Sequence, residues 1–270
     1  MNKLIVLIGA FNEEKTISDV IDHYKGFADH ICIIDPGSID KTVDIAMSKN
    51  CHIIKVNENF FDFKGRIMKA GNFLVQAKIC TKNDYFIYVN CSEFFSSKLQ
   101  TNIRKYIEKN PPAISIYRQS FTFGEKTHSR KAAYYLDMLT KSKNYFRVFR
   151  LSSFNESKSF IHREFTIHDE LVKKAKYISI TDGYIKHYRG GGLDDFEKKH
   201  QLYSDEEAQE LYKKSKRATF IKMFIIPLLI FLYFLPESLF SKKKFIVHLY
   251  HAFYKFQVQA KLFMLNTRNK

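Results

Sequence analysis

The sequence predicts an α/β fold in which a mostly parallel central sheet is flanked by helices and followed by a helical tail. Short apolar runs alternate with segments of helical periodicity over residues 1–110. The 270 residues are 45% apolar and 27% charged, a balance that supports a large buried core and excludes a wholly disordered chain. Of the formal net charge of +16, residues 211–270 carry +11, from twelve basic residues and the single acid Glu237. We therefore expect a domain at residues 1–210 and a basic, apolar tail at residues 211–270.

Four mainly apolar runs predict strands at residues 4–8, 30–34, 53–56 and 85–89. The first run is continuous rather than alternating, as in a strand that is covered on both faces. Helical spacing between and after them predicts helices that begin near residue 13 and that cover residues 40–49, 64–79 and 99–107. Such alternation favours parallel strands joined by right-handed crossovers.

Polar groups follow three of these strands. They are residues 11–13 (FNE), residues 35–38 (DPGS) and residues 90–93 (NCSE). Because parallel sheets bind ligands beyond the carboxyl ends of their strands, we expect the three segments to form one site. Each also has an ordinary structural explanation, since Asn12 suits a helix cap and Asp35 and Gly37 suit a turn.

The rest of the chain is less regular. Strands are predicted at residues 113–117 and 145–149, and a charged helix at residues 193–215. The cysteines show no metal-binding spacing and lie mostly in apolar surroundings, which predicts reduced, structural thiols and a cytosolic protein. Residues 1–10 are too short an apolar segment for a signal peptide, so secretion is not expected. The four cysteines are Cys32, Cys51, Cys80 and Cys91.

The tail predicts a membrane-surface helix. Residues 223–236 carry no charge, but Pro227 interrupts them and a bilayer span needs about 20 residues. Residues 245–265 have a polar side at helical spacing, typical of an amphipathic helix whose lysines meet anionic headgroups. A helical hairpin packed on the first domain and a membrane-spanning helix are the alternatives. Nucleic acid is not an expected partner, because the basic residues flank apolar runs and no nucleic-acid motif is present. The polar side consists of His248, His251, Lys255 and Gln259.

The first two polar segments resemble the opening of the family 2 glycosyltransferases. The runs AFNEE at residues 10–14 and IIDPGSIDKT at residues 33–42 are similar to that family's F-N-E-E and V-D-x-G-S-x-D-x-T patterns. The branch of bacterial lipopolysaccharide-core glucosyltransferases is the most similar, and the likeness runs through most of the chain. The later matches are FRVFR at residues 146–150, HDEL at residues 168–171, IKHY at residues 185–188, and Lys199 with Tyr203.

The resemblance implies the GT-A fold, which binds nucleotide-diphosphate sugars, and it implies roles for residues at matching positions. The segment around Asn12 would shape the nucleoside pocket, Asp35 would accept a hydrogen bond from the base or ribose, and Gly37 would let the backbone approach. Basic residues near residue 66 lie where the family faces the diphosphate, although a solvated helix face explains them as well. The implied nucleotide-sugar site is Phe11, Asn12, Glu13, Asp35, Gly37, Ser38 and Lys69, with Lys64 and Arg66 beside it.

The resemblance also implies an inverting single displacement, in which one carboxylate deprotonates the acceptor hydroxyl. Asp169 matches the family's acid after His168, and Glu170 is its longer neighbour, so both are candidate bases. A surface turn is the structural alternative for this segment.

The family's metal motif, D-x-D, is replaced here by Asn90-Cys91-Ser92, and of the acids that usually accompany it only Glu93 remains. Neutral oxygens bind Mg²⁺ or Mn²⁺ less strongly than carboxylates do. Three alternatives follow: Glu93, with His187, holds a divalent cation; Lys or Arg neutralises the diphosphate without metal; or the chain has lost transfer activity and serves as a scaffold.

We therefore expect a glycosyltransferase that uses a nucleotide-sugar donor, with UDP as the expected nucleotide. Its implied acceptor is a glycan or glycolipid of lipopolysaccharide or capsule type. Its expected location is cytoplasmic and peripheral, at the inner face of the cytoplasmic membrane, with the tail on the anionic surface.

Overall fold

The computed structural model describes residues 2–56, 63–122, 124–126, 146–153, 178–189 and 193–268. Its contacts divide the chain into two compact units. The first, here called the body, comprises Met1–Gln119 and Lys131–His187. The second, here called the helical unit, comprises Ser120–Arg130 and Tyr188–Lys270.

The amino-terminal half of the body has the predicted alternation of strands and helices. Its four strands are parallel and lie in the order β3-β2-β1-β4. In chain order the elements are β1 (Leu4–Gly9), α1 (Ile17–Lys25), β2 (His30–Asp35), α2 (Thr42–Ser48), β3 (His52–Lys55), α3 (Phe63–Gln76) and β4 (Tyr85–Asn90). Helix α1 begins later than expected because Asn12 adopts a left-handed conformation with φ of 55°, which ends the extended chain in a turn.

The remaining strands make the sheet mixed. They are β5 (Glu93–Phe95), β6 (Ala113–Thr122), β7 (Glu125–Lys126), β8 (Phe146–Arg150) and β9 (Ile178–Arg189), with α4 (Ser97–Glu108) between the first two. The order continues from β4 through β8, β6 and β9 to β5, and β7 pairs with β6. Strand β8 is antiparallel to β4 and β6, and β5 is antiparallel to β9. The expectation of a mostly parallel sheet is thus correct for the first four strands and wrong for the rest.

Both faces of β1, β2 and β4 are covered, which explains their mainly apolar sequences. Leu4, Val6 and Ile8 of β1 pack in a core with the apolar sides of α1 and α4. The alternate residues Ile5 and Leu7 pack in a second core with α3. All five side chains are fully buried, and burial of each contributes roughly 1.5–3 kcal/mol.

The cysteines belong to this apolar interior. All four are free thiols, and three of them are buried. Burial raises the pKa of Cys51 and of Cys80 to about 11, so these thiols stay protonated at neutral pH. They pack as small apolar side chains, as predicted.

The helical unit contains three long helices. They are α5 (Leu193–Lys213), α6 (Ile226–Ser238) and α7 (Lys242–Arg268), and a π-helical turn at Ile221–Ile225 leads into α6. Helix α7 packs against both α5 and α6. Pro227 lies in the first turn of α6, where a missing N–H costs little, so it does not break the helix. The predicted domain boundary at residues 210–211 falls within α5 and stays a prediction.

The tail does form a helical hairpin, but its polar side faces inward. His248 is fully buried, with its ring stacked 4.8 Å from that of Phe234 and its Nδ1 2.6 Å from Ser238 Oγ. On the next turns, Tyr254 and Lys255 contact Glu207 of α5. Among the helices that the structure describes, none combines the length and the apolar character that crossing a bilayer requires.

Candidate active site

The loops after β1 and β2 are joined by reciprocal hydrogen bonds. The backbone N–H of Asn12 donates to Ser38 Oγ at 3.0 Å, and the N–H of Ile39 donates to Asn12 Oδ1 at 2.9 Å. The N–H of Glu13 donates to Thr42 Oγ1 at 2.7 Å. The structure therefore brings together the two predicted segments. Asn12 joins the loops and does not cap α1, whose N-cap residue is Thr16.

Asp35 fixes the second loop. Its side chain is buried, and Oδ1 accepts hydrogen bonds from the Ser38 N–H at 3.0 Å and the Ser38 hydroxyl at 2.5 Å. Oδ2 accepts from the Gly37 N–H at 3.2 Å. Gly37 has a φ of 117°, a backbone conformation that residues other than glycine rarely adopt. Asp35 and Gly37 thus act as turn formers in this structure, and the contact of Asp35 with a base or ribose stays a prediction.

Two further predicted residues lie exposed. Phe11 is 44% exposed beside the joined loops, so its ring is accessible to an apolar or stacking partner. Lys69 lies on α3 with an exposed side chain. Their roles toward a nucleoside and a diphosphate stay predictions.

The end of β4 lies at the same edge of the sheet. Gly9, the last residue of β1, is paired in register with Asn90, the last residue of β4. A Cβ atom on Gly9 would lie 2.0 Å from the hydroxyl oxygen of Tyr88, so a larger residue would fit only if that buried ring moved. The three predicted polar segments therefore share one edge, as the strand alternation indicates.

Glu93 lies at this edge in a fully buried position between two arginines. Its Oε1 is 3.2 Å from Arg118 Nη1 and 3.6 Å from Arg147 Nη2. Its Oε2 accepts the Asn90 N–H at 3.1 Å. The Tyr24 hydroxyl donates to the Glu93 carbonyl oxygen at 3.0 Å, which ties β5 to α1.

The arginine charges keep Glu93 ionised. Burial alone raises the pKa of its carboxyl group, because a charge is costly away from water. The charges of Arg147, Arg118 and His187 and the Asn90 N–H outweigh this effect and lower the pKa to about 2. Glu93 therefore carries its negative charge throughout the neutral range.

The model of the family described as "Glycosyl transferase family 2" matches residues 5–174. The chain belongs to this family. An uncharacterized glycosyltransferase of Rickettsia bellii (strain RML369-C) is 25% identical over 235 residues, which cover 82% of this chain and 71% of that protein. An uncharacterized glycosyltransferase of Rickettsia typhi (strain ATCC VR-144 / Wilmington) is 23% identical over 231 residues, with coverages of 80% and 70%. The predicted family and its GT-A α/β fold are thus confirmed.

Solved structures of glucosyl-3-phosphoglycerate synthase from Mycobacterium tuberculosis are also similar. The complex with Mn²⁺ and UDP-glucose is 15% identical, covers 80% of each chain and has a TM-score of 0.46. The complex with phosphoglyceric acid is 17% identical, covers 72% of this chain and 75% of that one, and has a TM-score of 0.45.

The predicted metal ligands are neighbours, but their surroundings do not fit a divalent cation. His187 lies opposite Glu93 in the register of β5 and β9. Both carboxylate oxygens of Glu93 already have positive or N–H partners, and two guanidinium charges would repel a cation. Cys91 is buried with its Sγ near the Gly9 carbonyl oxygen, and no group of three or more metal-ligating side chains occurs within the described ranges. The use of a divalent cation by this glycosyltransferase stays a prediction.

The sequence did not indicate a role for Arg118, and it indicated Arg147 only as part of a motif. Arg147 belongs to the FRVFR run, which gave no reason to expect contact with Glu93. Arg118 lies in β6, outside every motif identified in the sequence. The signal that could have pointed to these arginines was the replacement of both aspartates of the D-x-D pattern beside the retained Glu93. The candidate bases Asp169 and Glu170 lie outside the described residues, as do the side chains of Lys64 and Arg66.

Proposed function

We propose that this glycosyltransferase moves a sugar from a UDP-sugar to a glycan of lipopolysaccharide or capsule type, by an inverting single displacement. The observation that carries the proposal is the joining of the loops around Asn12 and Asp35 at the carboxyl edge of the parallel strands. The family itself uses nucleotide-sugar donors, and this edge is where such sheets bind ligands.

In the proposed reaction, the acceptor oxygen attacks the sugar carbon as the bond from that carbon to the diphosphate oxygen breaks on the opposite face. The acceptor hydroxyl gives its proton to a carboxylate, for which Asp169 is the first candidate and Glu170 the second. The electron pair of the broken bond leaves with the diphosphate, and the site must stabilise that growing charge. Phe11 and the joined loops would hold the nucleoside.

The turnover test measures nucleoside diphosphate released by the full-length chain from UDP-glucose, UDP-galactose and UDP-N-acetylglucosamine, with and without lipopolysaccharide core acceptors. Asp169→Asn and Glu170→Gln should separate the two candidate bases, because loss of the true base lowers the rate by about 10²–10⁴-fold. If the wild type binds UDP but turns over none of these donor and acceptor combinations, the alternative is favoured, namely a catalytically impaired scaffold of glycan assembly. The Asn90-Cys91-Ser92 replacement is the observation that favours this alternative.

The helical unit supports placement at a membrane surface. Ile221, Ile225, Leu228, Leu229 and Leu232 recur at helical spacing, and each is between 39% and 62% exposed. We call these five residues the outer stripe. Exposed apolar surface on this scale marks an interaction site, since single exposed side chains are normal but a continuous stripe is not.

Basic residues lie on both sides of the outer stripe. Before it stand Lys213, Lys214, Lys216, Arg217 and Lys222, and after it stand Lys242, Lys243 and Lys244. Apolar side chains flanked by lysines suit the boundary of an anionic bilayer, where each basic residue contributes about 1 kcal/mol. The proposed location is the inner face of the cytoplasmic membrane.

The membrane test uses the full chain with vesicles of phosphatidylcholine alone or mixed with phosphatidylglycerol. Replacing Leu228, Leu229 and Leu232 together by Ser should abolish binding to the mixed vesicles, and replacing Lys242, Lys243 and Lys244 by Gln should weaken it about 100-fold. Ile39→Ser with Met47→Ser is the matched control, because these apolar side chains are exposed in the body. Wild-type indifference to mixed vesicles would refute membrane placement and leave the transferase proposal intact.

A further inference from the structure

The cluster around Glu93 contains two positive groups for one negative group. Arg118 and Arg147 both approach Oε1 of the same buried carboxylate, at 3.2 Å and 3.6 Å. One carboxylate neutralises only one guanidinium charge, so these three side chains together carry one excess positive charge. A partly buried positive charge favours the binding of an anion, because water screens it poorly.

The two arginines differ in their access to solvent. The side chain of Arg147 is 6% exposed, whereas that of Arg118 is 32% exposed. Arg118 contacts Glu93 through Nη1, and a guanidinium has five N–H donors in a fixed fork. Arg118 is therefore anchored at one nitrogen and retains donors that a ligand can reach.

The position of the cluster identifies the anion. Glu93 binds the N–H of Asn90, and Asn90 is paired with Gly9 at the edge that carries the joined loops. The neutral residues Asn90, Cys91 and Ser92 stand where a metal-binding glycosyltransferase of this family would carry acids. The anion that a sugar transferase brings to this edge is the diphosphate of its donor.

We propose that Arg118 binds the donor diphosphate and takes the place of a divalent cation, with Glu93 and Arg147 as its positioning residues. This inference rests on the proposed function for its ligand. The guanidinium fork matches two phosphate oxygens and keeps its charge at any physiological pH. Arg118 stabilises the negative charge that the diphosphate gains as its bond to the sugar breaks.

The experiment measures binding of UDP, GDP and inorganic pyrophosphate to the full chain by calorimetry in EDTA, and again with Mn²⁺. Uridine is the probe that lacks phosphate. Arg118→Ala should weaken UDP binding in EDTA by at least about 10-fold and leave uridine binding unchanged, since it loses a charge-assisted contact to phosphate only. Arg118→Lys keeps the charge without the fork and should give an intermediate affinity.

Arg104→Ala is the matched control. Arg104 pairs with Asp29 at 2.7 Å near the amino ends of β1 and β2, so the variant loses an arginine–carboxylate pair at the opposite edge of the sheet. It should bind UDP as the wild type does, and circular dichroism establishes that each variant is folded.

The outcomes separate the inference from the proposed function. UDP binding that requires Mn²⁺, or that Arg118→Ala leaves unchanged in EDTA, would overturn the inference and leave the transferase proposal standing. Pyrophosphate binding that depends on Arg118, without turnover of any UDP-sugar, would support the anion site and count against the transferase proposal. Failure of UDP, GDP and pyrophosphate to bind under either condition would overturn the anion site.

Discussion

The body and the helical unit distribute polar and apolar side chains in opposite ways. In the body, the apolar residues of β1 and β4 are buried on both faces of the sheet, and the buried acid Glu93 is paired with two arginines. In the helical unit, His248 and Ser238 are buried while much of the apolar surface of α6 is exposed.

The polar side of α7 is turned toward its neighbouring helices, and part of the apolar surface of the helical unit is exposed. Some polar groups of α5 and α7 contact one another, as when Lys261 Nζ contacts Asp205 Oδ1 and Ser204 Oγ, each at 2.8 Å. Leu228, Leu229 and Leu232 of α6 are instead about half exposed. If the helical unit lies at a bilayer, as proposed, burial of these side chains in lipid would be favourable.

Glu93→Gln should give the largest loss of stability. The variant keeps the shape of the side chain but leaves two guanidinium charges without their buried carboxylate, which costs about 3–5 kcal/mol in the free energy of unfolding. Urea unfolding followed by far-UV circular dichroism measures this, since the chain has no Trp for fluorescence. A loss below about 1 kcal/mol would show that Glu93 does not neutralise the pair.

Leu7→Ala and Leu229→Ala compare the two regions directly. Leu7 is fully buried in β1, so its truncation should cost about 2–5 kcal/mol in the free energy of unfolding. Leu229 is 58% exposed in α6, so the same change should stay within about 0.5 kcal/mol. Urea unfolding in the absence of lipid measures both. Equal losses would mean that Leu229 is covered by protein, and the contrast between the units would be wrong.

The stability of the body should also fall in acid because of Glu93. Its pKa is lowered from an ordinary value of 4.5 to about 2, so folding is stabilised above pH 4.5. This stabilisation is lost as the pH falls from 4.5 toward 2, where the folded carboxylate takes up its proton. Urea midpoints measured between pH 7 and pH 2.5 should decline in the wild type. Glu93→Gln should lack this part of the decline, and parallel curves for the two proteins would contradict the assignment.

Much of the fold followed from sequence because its signals are local. The runs at residues 4–8 and 85–89 are apolar at every position, which only a strand covered on both faces requires. Strand β5 has three residues, and β9 contains Asp182 and Gly183, so neither shows strand periodicity. Gly183 is explained only by the structure, because a Cβ there would lie 2.9 Å from Leu99 Cβ.

Only part of the candidate site could be predicted from local sequence, because its other part depends on contacts between distant strands. The loops around Asn12 and Asp35 were predictable, since short motifs at successive strand ends meet at one edge. The contact of Arg118 with Glu93 joins residues 25 positions apart through strands β6 and β5, and the strand order that brings them together has no local signal. Sequence periodicity identifies strands, but it does not identify their neighbours.

Tyr254→Phe should give the smallest effect and tests the polar seam of the helical unit. The Tyr254 hydroxyl donates to Glu207 Oε2. Burial, and to a smaller extent this hydrogen bond, raises the pKa of Tyr254, so the hydroxyl stays protonated and remains a donor. Its loss should cost about 1 kcal/mol and increase hydrogen exchange in α5 and α7 but not in β1. Tyr233→Phe is the control, because Tyr233 is 48% exposed and should change exchange little. If both variants exchange like the wild type, the seam does not stabilise the unit, and the inward polarity of α7 would need another cause.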